Sequence, residues 1–184
     1  GVATAAAHGP AMIERMLNDP AMFRHRPCIE AAIANARTVL ELVQRHGSFK
    51  AYLVALRGNE SPAIIERAAK ELQRRFKRFG EATAHHFLTD IGAPTVKPDR
   101  VLLRVFSRLG LIDSEADLEG DRRVGDRIAR ETGYSHRFVD IVLVKFGQVG
   151  DEFDLGIGTG LCLEHNPRCE KCLVRQHCRY RFPV

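Results

Sequence analysis

The sequence has 184 residues, 45% of them hydrophobic and 28% charged. That is enough chain for one well-buried domain, or two small lobes sharing a cleft, with the balance of a soluble globular protein. The formal net charge of +5 favours a polyanionic partner, a preference shared by many basic proteins that bind none. No apolar run approaches the ~20 residues of a membrane span, and no secretory leader is legible, so the chain reads as cytoplasmic, without a membrane partner. Structural disulfides are rare in that compartment.

In chain order, residues 1–10 are small and read as a flexible lead-in. From Ile29 the apolar positions Ile29, Ala32, Ile33, Ala36, Val39, Leu40 and Val43 repeat at the helical period, and Gly47 stops the run. Ser48 is placed to cap a short helix bearing Phe49, Tyr52, Leu53 and Leu56, which read as core. Ser61-Pro62 opens another, with Ile64, Ile65, Ala68, Ala69, Leu72 and Phe76 on one face. Gly80 begins a helix running towards Gly92, and Pro98 begins one that buries Val101, Leu102, Val105, Phe106 and Leu109 before Gly110. The charged stretch 113–130 predicts a solvated helix in its lower half, ending at Gly133. Ser135 is placed to cap the last long helix, where Phe138, Val139, Val142 and Phe146 precede Gly147. Gly156, Gly158 and Gly160 mark a loop into a cysteine-rich end. No segment alternates with a period of two, and none repeats. The predicted class is all-α, with a lead-in at 1–10, a helical domain at 11–133, and a last helix with a cysteine loop at 134–184.

Four of the five cysteines, Cys162, Cys169, Cys172 and Cys178, are spaced C-x6-C-x2-C-x5-C. In a reducing compartment such a group holds metal, and thiolates suit either zinc or an iron–sulfur cluster. A four-thiolate zinc site normally uses two C-x2-C pairs, and only one is present here. Cys28 stands apart at the start of an amphipathic helix and reads as a buried thiol.

Two further features carry chemistry. Arg67, Lys70, Arg74, Arg75, Lys77 and Arg78 precede Phe79-Gly80 against a single Glu71. A glycine turn entering a helix after such a run suits an anion, because unpaired N–H groups and the helix dipole face it. The alternative is a solvated charged face. Asp99 follows Pro98 at a helix start, where a carboxylate either caps the helix or is held there for chemistry.

These segments resemble the helix-hairpin-helix DNA glycosylase superfamily. Asn166-Pro167-Arg168-Cys169-Glu170-Lys171-Cys172 is similar to the Pro-Arg-Cys-x-x-Cys core of the endonuclease III cluster loop. Phe79-Gly80-Glu81-Ala82-Thr83-Ala84 and Thr95-Val96-Lys97-Pro98-Asp99 resemble the hairpin and catalytic-aspartate segments. Phe23-Arg24-His25-Arg26, Ala34-Asn35-Ala36-Arg37 and Gly47-Ser48-Phe49 are similar to the 3-methyladenine DNA glycosylase I branch. The chain therefore looks like a mosaic, with an alkylation-repair front and an endonuclease III-like back. Together the matches cover roughly residues 11–110 and 138–180. Members generally carry helices before the point where these matches start, so an N-terminally shortened or minimal variant is expected.

The resemblance implies a helix-hairpin-helix fold and a [4Fe–4S] cluster on the four cysteines, in preference to zinc. It implies Asp99 as the carboxylate that stabilises the sugar as the base leaves. Double-stranded DNA carrying a damaged base is the implied partner of a monomer. Phosphate contact falls to Lys77, Arg78, Phe79 and Gly80 at the hairpin and to Arg168, Lys171 and Arg175 in the cysteine loop, where Arg179 adds a further cation. Where a hairpin usually has two glycines, the first position here is Arg78, which predicts a less regular turn. Where strand-cutting members carry a lysine, this chain has Ala82, so a monofunctional enzyme is expected, with Lys97 as the rival amine. The damaged base must leave the stack for a pocket, and His85, His86, Phe87 and Tyr134 are candidates to line it. Alkylated purines rank first as substrate. The competing readings are a DNA-binding module without catalysis, a zinc-stabilised binding protein, and a bifunctional glycosylase with lyase activity.

Overall fold

The computed structural model describes residues 1–150 and 158–180. Gly156 lies outside them. Among the described residues the regular structure is helical, without strands, as the absence of period-two patterning predicts. The contacts divide the chain into two units, Gly1–Ala84 and His85–Val184. The boundary expected at 133 falls inside the second unit, because the helices on either side of it pack together.

The first unit holds α1 (Val2–Ala6), α2 (Pro10–Asn18), α3 (Arg26–His46), α4 (Phe49–Arg57) and α5 (Pro62–Arg75). The long α3 is its spine, packed by α1, α2 and α4, while α4 packs on α5. Residues 1–10 are not the flexible lead-in that their composition suggests. Arg37 reaches from α3 and donates to the carbonyls of Ala6 and His8, at 3.0 and 3.1 Å, and Ala6 is buried. Small alanines gave no periodic signal, and the arginine that fixes them is distant in sequence. Elsewhere local chemistry sets the ends. Gly47 takes a positive φ of 78° after α3, and Ser48 accepts the Ala51 N–H at 3.0 Å to start α4. Ile65, Ala68, Ala69 and Leu72 form the buried stripe of α5. An aromatic cluster of Phe49, Tyr52, Phe76 and Phe79 joins α4 to the turn that follows α5.

The division between units falls within α6 (Glu81–Asp90). In the second unit, α7 (Arg100–Leu109), α8 (Leu118–Thr132) and α9 (His136–Gly147) all pack on one another. Their core is Val96, Leu102, Leu103, Val105, Phe106, Ile112 and Val124. Gly125 allows close approach here, since a Cβ on it would press on the Val96 side chain.

One sequence expectation fails in this unit, and a second helix departs from a simple apolar face. The helix predicted to be solvated, α8, buries Asp121, Val124, Gly125 and Ala129. On α9, Phe138 and Val142 are 48% and 47% exposed, whereas Asp140 and Lys145 are buried. Polar residues occupy interior positions on both helices, and periodicity reads polar positions as outward.

Candidate functional site

Asp99 is the N-cap of α7. Its Oδ1 accepts the N–H groups of Val101 and Leu102 at 2.9 and 3.0 Å. Two backbone donors at the start of the helix fix the plane of the carboxylate. Oδ2 points elsewhere and lies 3.6 Å from Lys97 Nζ, and the side chain keeps 18% of its surface exposed. One oxygen is thus committed to the fold, and the other faces a cation at the surface.

The turn that delivers Asp99 is tied from several sides. Thr89 Oγ1 donates within reach of both the His85 and Thr95 carbonyls, at 2.8 and 2.9 Å. His85 Nδ1 lies 3.0 Å from Thr95 Oγ1. Two residues on, the Lys97 N–H donates to Asp140 Oδ1 at 3.3 Å. Asp140 Oδ2 in turn accepts from Arg137, which also pairs with Asp90 on α6. Burial pushes the Asp140 carboxyl up, opposed by the Lys97 N–H and by Arg137. Beside this network, Asp121 of α8 is fully buried, and neither of its oxygens has a hydrogen-bond partner among the described residues.

The expected pocket residues part company. His85 is interior, 1% exposed, and belongs to the turn. His86 pairs with Asp90 at the surface. Tyr134 is 58% exposed and packs its ring on Phe138.

In the first unit, the segment after α5 carries Lys77 and Arg78, both exposed, then the half-buried Phe79 and exposed Gly80. Arg78 adopts a positive φ of 61°. The turn therefore keeps a left-handed residue where the resemblance expects a glycine, at a steric cost. A Cβ on Gly80 would meet nothing within 4 Å, so its backbone faces open space. Asn35 of α3 grips the Lys77 backbone: its Oδ1 accepts the N–H at 2.7 Å, and its Nδ2 donates to the carbonyl at 3.1 Å. On α5, Glu71 pairs with Arg74 and Arg75. Burial raises its carboxyl, but the hydrogen bonds from Arg75 and Arg74 prevail and hold it below the usual range.

The cysteine loop is anchored to α7 and α9. The N–H groups of Leu161 and Cys162 both reach the Phe146 carbonyl. A Cβ at Gly160 would collide with the carbonyl oxygens of Lys145, Phe146 and Gln148. The buried Arg104 donates to the Gly147 carbonyl at 2.6 Å and to that of Cys162 at 3.3 Å. One turn on, Arg108 Nη1 is 3.6 Å from Cys162 Sγ and donates to the Leu163 carbonyl at 2.6 Å. The Arg108 carbonyl accepts from the Cys178 thiol and from the N–H groups of Arg179 and Tyr180. All four cysteines line one cavity of about 660 Å³, with Arg108, Phe146 and Tyr180 in its wall. Among the described residues no three potential ligands converge closely enough for a single metal ion. Burial pushes the Cys162 thiol up, countered by the Arg108 guanidinium. Of the loop cations, Lys171 and Arg175 are exposed, whereas Arg168 turns inward and donates to the Thr159 carbonyl at 3.1 Å.

The family model described as methyladenine glycosylase matches residues 2–95. The chain belongs to that family. No curated protein and no solved structure matches it.

As a methyladenine glycosylase the chain is a DNA glycosylase, and DNA is its substrate. The matched residues include α1 through α6, so the alkylation-repair resemblance of the front half is the family's own. Lys77, Arg78, Phe79 and Gly80 lie inside the match. Asp99 and the four cysteines lie beyond it, all in the second unit. There α7 carries Asp99 at its start, and its Arg104 and Arg108 touch the cysteine loop. No helix among the described residues is long and apolar enough to cross a membrane. The sequence reading assigned no role to Asn35, Asp121 or Asp140. Asn35 lies in Ala34-Asn35-Ala36-Arg37, one of the segments that resemble the 3-methyladenine DNA glycosylase I branch. The two aspartates had one available signal, their placement at helical spacing among apolar positions.

Proposed function

We propose that this methyladenine glycosylase hydrolyses the N-glycosidic bond of a damaged base in duplex DNA, with alkylated purines first, and leaves an abasic site without cutting the strand. The geometry of Asp99 carries the reading. As the base departs, positive charge develops on the deoxyribose, and a preorganised anion aimed at developing charge is usually the largest catalytic contribution. Asp99 is pinned through Oδ1 and keeps Oδ2 near the surface, so it needs no reorganisation to serve. The damaged base would reach it flipped out of the stack.

Ala82 stands where strand-cutting relatives place their lysine, so water is the nucleophile in this reading. Lys97 Nζ, 3.6 Å from Asp99 Oδ2, is the observation favouring the second reading, a bifunctional enzyme whose amine attacks the sugar. Borohydride trapping of the protein on DNA, lost in Lys97→Gln, would establish that alternative.

Lys77, Arg78, Phe79 and Gly80 are proposed to contact phosphates on one segment, and Lys171 and Arg175, with Arg168 in support, on the other. The four cysteines would hold a [4Fe–4S] cluster. Their soft thiolates suit it, and they line a common cavity without converging on one point. The cluster would brace the loop; base release runs on Asp99. Iron and sulfide analysis with the visible spectrum separates it from zinc, and Cys169→Ser should lower the iron content.

The deciding experiment incubates the protein with duplexes that each carry one lesion, followed by alkali to cut abasic sites. Wild type is run beside Asp99→Asn. Alkali-dependent cleavage of an alkylated-purine duplex, abolished in the variant, is the expected result. DNA binding without base release from any duplex would instead make the chain a binding module, with Asp99 as a helix cap.

A further inference from the structure

Buried ionisable groups are costly, and most of those around Asp99 have a visible occupation. Asp140 holds the Lys97 N–H and pairs with Arg137. Arg104 donates to two carbonyls. Asp121 is different: it is 0% exposed, in the first turn of α8, and both oxygens lack a hydrogen-bond partner among the described residues. A leucine or valine there would carry no polar group, whereas a buried, unbonded carboxyl is among the more expensive features a core can contain. The backbone does not need this side chain either, since the α8 N-cap is Asp117, whose carboxylate accepts the Gly120 N–H at 2.7 Å. A feature that opposes stability without serving the fold points to function.

Asp121 lies one helical turn before Gly125, on the buried face of α8 that closes on Val96, so it is turned towards the segment that leads into Asp99. Asp99 at the start of α7 and Asp140 on α9 both oppose its ionisation, as does Asp117 on its own helix, while Arg122 favours it. Lys97 and Arg137 are the cations bearing on the same aspartates. Among neighbouring carboxyls, the one denied both water and hydrogen bonds is the one that keeps its proton. Asp121 is that group, whereas Asp99 is capped by two N–H groups and partly exposed.

We infer that Asp121 is a positioning residue for base release, acting through Asp99 by setting the electrostatic field in which that carboxylate meets the sugar. The inference rests on the reading of Asp99 as the catalytic carboxylate. Burial first, and then the charges of Asp99 and Asp140, push Asp121 up to about 8. Near neutrality it is therefore the protonated partner. As pH rises through that value it loses the proton to solvent, and the region beside Asp99 becomes more negative. Developing positive charge on the deoxyribose is then better stabilised.

The test is the single-turnover rate of base release between pH 6 and 9.5, using a duplex that wild type processes, for wild type, Asp121→Asn, Asp121→Leu and Asp99→Asn. Wild type should speed up through pH 8 by a factor on the order of three to ten. Both Asp121 variants should lose that rise while melting at or above the wild-type temperature, which a merely structural residue would not allow. An Asp121→Asn profile that climbs as wild type does overturns the inference, as does a lower melting temperature in both Asp121 variants. If Asp99→Asn releases base normally, the reading of Asp99 fails instead, and that outcome is visible without either Asp121 variant.

Discussion

Asn35 and Lys77, on α3 and in the hairpin turn, are joined by a two-way hydrogen bond in which one side-chain amide satisfies both the N–H and the carbonyl of a single backbone residue. The Lys77 side chain is left exposed, so the grip fixes the backbone from which a cation projects. The turn proposed to contact phosphates is thereby attached to the spine of the first unit.

Asn35→Ala removes both bonds and should cost about 1–2 kcal/mol of stability, read from urea unfolding of the full chain. DNA affinity should fall as well, although the substitution removes no charge. Asn35→Asp keeps the acceptor for the Lys77 N–H and loses the donor, so its stability should lie between the two.

Arg78→Gly separates conformation from charge. Relief of the left-handed φ at Arg78 should stabilise the fold by up to about 1 kcal/mol, offset in part by the greater freedom of glycine when unfolded. DNA binding should nevertheless weaken. The slope of log K against log salt should flatten by about one unit if Arg78 neutralises a phosphate.

Asp121 makes stability depend on pH with a definite sign. Its folded value is raised from 3.8 to about 8, so between those values the unfolded chain has released a proton that the folded chain retains. Stability from this group is greatest below about pH 4 and declines towards pH 8, by an amount of order 5 kcal/mol if the full shift applies. Asp121→Asn should flatten that decline and raise the melting temperature most at pH 8, measured by calorimetry across the range.

Gly160→Ala places a methyl group against three carbonyl oxygens at once. Backbone yields less readily than a side chain, so the segment entering the cysteine loop must shift. The variant should unfold at lower temperature and purify with less bound metal, as measured by elemental analysis.

Local chemistry made much of this molecule legible before any coordinates. Ser48, Asp99 and Ser135 each cap a helix through the side chain as their positions suggest, and Gly110 and Gly133 end helices in the left-handed conformation. The cysteine spacing marked a group that does line one cavity. What escaped depends on partners distant in sequence. The first ten residues gained order from Arg37. The buried face of α9 includes Asp140, whose burial is supported by Lys97, 43 positions away. Asp121 resisted prediction most, because a sequence offers no reason to bury an acid that finds no hydrogen-bond partner among the described residues.

Arg108 touches Cys162 through its guanidinium and Cys178 through its carbonyl, so the outermost thiols meet at one residue. Closing a loop of that length has an entropic cost of about 2–3 kcal/mol, which the bonds of Arg108 to both ends help to offset. The cysteine loop is therefore buckled to α7 at a single point, two turns along the helix that Asp99 starts.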